Sequence, residues 1–486
     1  MNLLEKTLKR INSTPFFIIL ALFTGITAGF VQLQLPHPLL LVILFIGLAV
    51  ALCLFMKPEW GLLFMIFMIY TKLSYVLINY HGLPSIGKPV VLLMLLIILA
   101  RWIWFGEKPE NWLPATFILG GYAFLAIYSG TYAPDLDLVQ EALGDFVKDA
   151  VILYIIATQI KNRSTFRRVI WILLLGGAFL GTISTYQYLT GTFENDYWGF
   201  GQASIENIVS DTEEDDYRIG GPGFGPNYYG IILLLVVPLA LDRIWSEKKR
   251  IYRMIAGWTF FVTVLSIFVT FSRTAFLGLV AVLGFLFIRR PPKPSALIFT
   301  IIILGVSTLY MPAKFTNRLK ELGKFLPGAS SADVASDASF SGRLSENISA
   351  IQMFNDHPVR GVGLGNYEHY YQSYAQYLGL DSRREVRAAH SLYLENISEL
   401  GVLGLCWLLG LQWLTFTGLF QADKNFRAAG KPEDAYICYA IEATIIGFLV
   451  TGIFTHLAHP RFFWMLYGIA LSVPNVARKE LAASTG

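Results

Sequence analysis

About fourteen runs of mostly apolar residues, each roughly 15 to 22 long, succeed one another along a chain of 486 residues. Wound as helices, such runs match the hydrocarbon thickness of a bilayer, and a soluble core has no room for so many. They extend over residues 14–31, 39–56, 60–78, 89–105, 112–130, 146–160, 167–189, 226–245, 254–271, 275–289, 295–311, 398–420, 436–455 and 461–477. With 55% of residues hydrophobic and 15% charged, the composition agrees. The expected fold class is all-α, a polytopic membrane helix bundle of about 14 spans. Lys6, Lys9 and Arg10 precede the first run and no small-residue cleavage site follows it, so that run is expected to be a retained span.

Orientation follows from the short loops. KNRSTFRR (161–168), DRIWSEKKRIYR (242–253), RRPPKP (289–294) and KNFRAAGK (424–431) fall on one face, while the alternate short loops hold little Lys or Arg. The positive-inside rule makes that face cytoplasmic, with both termini inside. The net charge of +4 is small and serves orientation, so it does not point to nucleic acid. Cys53, Cys406 and Cys438 lie in apolar runs without CxxC spacing, which argues against a disulfide frame or a zinc site.

The same alternation puts two long segments, 190–225 and 312–397, on the outer side. The expected organisation is therefore an N-terminal helix bundle over 1–311, a large outer loop with a small helical module over 312–397, and C-terminal helices with a short tail over 398–486. Within the loop, GASSADVASDASFSG is a small-residue stretch with no periodicity. Leu344, Ile348, Ile351 and Phe354 then recur at helical spacing, with Ser341 as N-cap, Arg343 at the helix start and Pro358 blocking continuation. Gly361, Gly363 and Gly365 make a turn into a second helix, whose Tyr367, Tyr370, Tyr371, Tyr374 and Tyr377 form a stripe best suited to packing.

Four constellations on the outer side carry candidate chemistry. Arg218 precedes GGPGFGPN, where Pro226 suits the first turn of a helix whose unpaired N–H groups face the outer compartment; the alternative is a Gly/Pro loop with one solvated arginine. Arg273 sits in a tight hairpin, Phe271 to Thr274, and either snorkels to headgroups or points into a cavity between helices. Arg343 gains nothing from the dipole at a helix N-terminus, so it is either a solvated charge or serves another task, whereas Arg360 reads as a solvated loop charge. His390 lies just before a span re-enters the membrane, and imidazole can take a proton from a hydroxyl where guanidinium cannot. Ser391 is not its catalytic partner, no acidic orienter is evident in the sequence, and Glu395 and Glu399 are placed either to hold His390 or an arginine or to be satisfied structural pairs. The acidic run Glu213 to Asp216, and Asp135, Asp137, Glu141 and Asp145, lack a metal spacing, so no metal is expected.

Together these residues carry a family resemblance. SGRLSENISAIQMFNDHPVRGVGLGNYEHYY (341–371) followed by AHSLYLENISELGVLGL (389–405) resembles the signature region of the O-antigen ligase and O-antigen polymerase superfamily. RIGGPGFGPNYYG (218–230) and TFSRTAFLGL (270–279) are similar to its earlier arginine motifs, and the likeness covers roughly residues 215–470. It implies a bacterial inner-membrane glycosyltransferase, working at the periplasmic face on an undecaprenyl-diphosphate-linked glycan donor. Carried over by motif, Arg218 and Arg273 hold the diphosphate, Arg343 helps hold donor or acceptor, and His390 is the catalytic histidine; Arg360 and Glu395 join the substrate-binding set. The acceptor is lipid A core, a growing lipid-linked glycan or a protein, and the motifs do not choose among them. No cofactor is implied. A transporter also needs many spans and interior cations, but it places them near the midplane on repeated halves, and no repeat is found here.

Overall fold

The computed structural model describes residues 39–205, 217–292, 338–378, 387–455 and 461–485, with scattered positions between 294 and 305. The predicted span at 14–31, most of that at 295–311, the acidic run at 213–216 and the side chain of Ser341 lie outside the described residues. The chain divides into two compact units, residues 1–60 and 61–486. In the first, α1 (Leu39–Met56) is 18 residues without a charged side chain.

The second unit is a helix bundle. Its elements are α2 (Pro58–Tyr70, which carries the unit boundary), α3 (Leu73–His81), α4 (Gly87–Phe105), α5 (Trp112–Ser129), α6 (Leu136–Gln159) and α7 (Arg163–Thr190). After a hairpin of β1 (Gln202–Ile205) and β2 (Tyr217–Gly220) come α8 (Pro226–Leu234), α9 (Val237–Ser246), α10 (Arg250–Val269) and α11 (Arg273–Arg289). Then follow α12 (Ala338–Asp356), α13 (Tyr367–Tyr377), α14 (Leu392–Ala428), α15 (Pro432–Thr451) and α16 (Arg461–Thr485). Among the described residues, 7 helices or joined pairs are long and apolar enough to cross a membrane: α4, α5, α7, α8 with α9, α10, α14 and α15.

Three features differ from the sequence expectation. The run at 60–78 is two helices, because Lys72 turns at φ 52°, lays its ammonium 3.5 Å from the Phe224 ring centroid and donates to the Gly223 carbonyl. A lone cation in an apolar run finds both a π face and an acceptor only by leaving the helix axis. The run at 226–245 is also broken: Pro238 has no N–H for the carbonyl four residues back, and Leu235 and Val236 bond instead to Ile232 and Leu233 three residues back. Finally, the fold is not purely helical, since β1 and β2 pair antiparallel with Ser204 opposite Arg218. Four-residue strands are too short to leave an alternating pattern.

All four basic loops meet at one end of the bundle. Arg167 of α7 reaches Glu247 at 3.1 Å, Arg163 pairs with Asp434 of α15, and Arg243 donates to Asp242 at 2.6 Å. Arg289 and Arg290 of α11 pair with Glu442 and Asp242. Arg243, Asp242 and Asp434 are each at most 2% exposed. Removing one partner from such a buried set leaves an uncompensated charge, a loss of about 3–5 kcal/mol.

At the opposite end stands the small module. Glycine lets α11 and α15 approach closely there: a Cβ on Gly278 would lie 2.6 Å from Thr451, and one on Gly447 would lie 2.5 Å from Val282. An aromatic cluster binds α5, α6 and α16, with Tyr122 and Phe146 centroids 4.6 Å apart and Phe146 and Trp464 5.2 Å apart. As expected, α12 ends before Pro358 and Gly361, Gly363 and Gly365 all take positive φ. There the chain pairs along the start of α14, with Val362 N–H donating to the Ser398 carbonyl and Gly363 N–H to that of Glu399. Gly401 breaks α14 at φ 62°, ψ −155°, where a side chain would overlap the Val359 carbonyl.

Candidate site at the outer end of the bundle

β2 delivers Arg218 to the turn between α10 and α11. The side chain is 3% exposed; its Nε donates to the Thr270 carbonyl at 2.9 Å and its Nη2 to Asn227 Oδ1 at 2.7 Å. One guanidinium thus joins the hairpin, the turn carrying Arg273, and the first turn of α8, which opens at Pro226 as its sequence required. The turn itself is strained. Phe271, a bulky residue, sits at φ 50° and is 5% exposed. Ser272 caps α11 by accepting from Ala275 N–H, so Arg273 occupies the first position of that helix, half-buried. Gly230 of α8 makes room for this turn, since its Cβ would come within 2.7 Å of Ala275 and 3.1 Å of Thr270 Oγ1.

His390 comes to the same end of the bundle. Ser391 caps α14, and Leu392 N–H donates to the carbonyls of Gly452 and Thr455 at the end of α15. The last turn of α15 is the one that packs on Gly278 of α11, just beyond Arg273. So α15 ties the segment bearing His390 to the helix bearing Arg273.

The imidazole has an acidic neighbour that the sequence did not reveal. His390 Nδ1 lies 2.6 Å from Oε2 of Glu346 and 3.2 Å from the Ala388 carbonyl. Both neighbours are acceptors, which favours the tautomer with hydrogen on Nδ1 and the lone pair on Nε2. Glu346 is 2% exposed on α12, and its Oε1 accepts from Arg387 at 3.2 Å. Tyr367 donates to the Glu346 carbonyl and Tyr371 shares a hydrogen bond with Ser345, so these two, with Tyr370 and Tyr374 beside them, pack α13 on α12 around Ala350 and Met353. Tyr377 at the end of the stripe is exposed. Burial first, then the nearby Glu346 charge, pushes the Tyr367 phenol well up.

The carboxylate beside the imidazole is thus neither Glu395 nor Glu399. Glu399 accepts from Tyr367 N–H at the start of α13, and Glu395 keeps a buried Oε2 that has no hydrogen-bond partner among the described residues. The placement of Arg343 also changes. The helix already runs at Ala338, so Arg343 lies in its second turn, one turn before Glu346, and Ser341 is inside the helix. Arg360 is exposed, with its guanidinium 4.8 Å from the Tyr132 ring centroid and its carbonyl taken by the Tyr132 hydroxyl; none of these contacts reaches the His390 cluster. Two residues went unread in the sequence, Glu346 and Arg387. The only signals were helical spacing from Arg343 and closeness along the chain to His390.

Residues 258–409 match the family model described as O-antigen ligase. That stretch includes Arg273, Arg343, Glu346, Arg360, His390 and Glu395 but not Arg218. Comparison with curated proteins gives no match.

Proposed function

We propose that this chain, a multi-pass membrane protein of the O-antigen ligase superfamily, transfers a glycan from undecaprenyl diphosphate to a hydroxyl of lipid A core at the periplasmic face of the bacterial inner membrane. The observation that carries the reading is the presence, at one end of the bundle, of both the Arg218-braced turn bearing Arg273 and an imidazole whose Nδ1 faces Glu346.

The chemistry divides accordingly. The acceptor oxygen attacks the anomeric carbon, its proton passes to Nε2 of His390, and the bond to the diphosphate oxygen breaks with the electron pair leaving on the diphosphate. Glu346 stabilises the imidazolium formed in that step, as a buried carboxylate does behind any histidine base. Arg273 meets the growing negative charge, since a fixed guanidinium does so without reorganisation. Arg218 is buried on protein acceptors and holds the turn in place from behind. Arg343, one turn from Glu346, and the unpartnered Oε2 of Glu395 fall to binding the sugars, whose hydroxyls supply the donor that a lone carboxylate oxygen needs. A single in-line displacement inverts the anomeric carbon.

The test is reconstitution of the purified protein with lipid-linked glycan, with and without lipid A core. Glycan on lipid A core, with the inverted anomer, is the expected product. Elongation of the donor in place of transfer would make the protein a polymerase, and normal transfer by both His390→Ala and Arg273→Ala would remove the enzyme reading.

A further inference from the structure

The basic end of the bundle holds a cavity of about 1250 Å³ between α9, α10 and α11, remote from the site above. Two of the four cations that line it are already paired. Arg290 is on Asp242, Lys248 is on Glu433 at 3.1 Å, and the one acidic wall residue, Glu247, takes Arg167 and Arg243. Arg250 and Arg253 are different: both line the cavity, both are exposed, and neither has an ion pair or hydrogen bond from its side chain among the described residues.

A second observation is independent of those charges. Trp245 also lines the cavity, and its indole Nε1 is buried without an acceptor among the described residues. Below the arginines the wall turns apolar. Met254, Trp258 and Phe261 follow Arg250 along one stripe of α10, which from Arg250 to Phe261 is about 16 Å long. Met254 and Trp258 are about half exposed or more. Unpaired guanidinium groups and an indole donor above an apolar trough at the bundle's basic end fit one kind of molecule.

We propose that this cavity binds an anionic phospholipid of the leaflet at the basic end, its phosphate held by Arg250 and Arg253 and its acyl chain lying along Met254, Trp258 and Phe261. The proposal does not depend on the transferase reading. A lipid supplies acceptor oxygens to the donors and hydrocarbon to the trough together, whereas a soluble anion supplies only the first.

The experiment is titration of the purified full chain, in neutral detergent, with phosphatidylglycerol, phosphatidylcholine and inorganic phosphate, read by native mass spectrometry. Phosphatidylglycerol is expected to bind at least tenfold more tightly than phosphatidylcholine. Replacing both arginines (R250A with R253A) should weaken it by about 25-fold, roughly fivefold for each cation, while the paired lysine replacements keep most of the affinity. Equal binding of the two lipids, or unchanged binding in the alanine variant, would overturn the proposal. So would displacement of the lipid by millimolar phosphate, which would mark the site as one for a soluble anion.

Discussion

Glu346 Oε2 and His390 Nδ1 lie 2.6 Å apart, with the carboxylate 2% exposed and its other oxygen on Arg387. A base held this way keeps one tautomer and one ring orientation, so removing the carboxylate's charge acts on the rate rather than on substrate affinity. Glu346→Gln is expected to lower kcat by about tenfold or more with KM little changed, against about 10²–10⁴-fold for His390→Ala. Initial rates of glycan transfer by both variants, with folding checked by circular dichroism, decide it. A Gln variant with full kcat would leave Glu346 a packing residue only.

Gly230 gives a second handle on the site that leaves its charges in place. Its Cβ would fall 2.7 Å from Ala275 and 3.1 Å from Thr270 Oγ1, on either side of the strained Phe271. Gly230→Val should push α8 off the turn and shift both Arg273 and the Thr270 carbonyl that Arg218 holds. The expected result is a loss of transfer of about 10²-fold, the usual consequence of misplacing a catalytic group by about 1 Å. Retained activity would mean that the turn tolerates movement and is not what positions Arg273.

Much of this architecture was legible because its causes are local. Pro226 opens α8, Pro358 follows the end of α12 and three glycines turn left-handed before α13, each a short-range consequence of residue type. The contact between Glu346 and His390 was not legible, because it joins two segments that no periodicity relates. Lys72 was hidden for another reason. A single cation in an apolar run reads as tolerated inside a span until the Gly223 carbonyl and the Phe224 ring that draw it out are in view. The hairpin carrying Arg218 left no pattern, and its register became visible only through pairing.

Tyr374 links the outer module to alkaline stability. Burial, then its hydrogen bond to Asp356 at 2.8 Å and that carboxylate's charge, push the phenol from 10.0 to about 12. The folded state therefore holds a proton that the unfolded chain releases first. This contribution is complete below about pH 10 and is lost between about pH 10 and 12. Thermal unfolding of the purified protein across that window should fall more steeply for the natural chain than for Tyr374→Phe. Parallel curves would show that the hydrogen bond to Asp356 does not hold the proton.

Charge on the departing diphosphate can be met by a divalent metal or by fixed cations, and the two are separable by chelation. Four described carboxylates on the outer side already have partners. Asp135 caps α6 through the N–H groups of Asp137 and Leu138, Asp145 pairs with Lys148 at 2.7 Å, Glu399 accepts from Tyr367 N–H, and Glu346 faces His390 and Arg387. A metal drawing ligands from these four would cost about 1–3 kcal/mol for each buried group left unpaired. Arg273 instead stands at the head of α11, at the outer end of the bundle. Transfer by the reconstituted protein should accordingly survive excess EDTA, while Arg273→Ala loses it and added magnesium does not restore it. Loss of activity on chelation, with rescue by magnesium or manganese, would transfer the electrostatic role from the guanidinium to an ion.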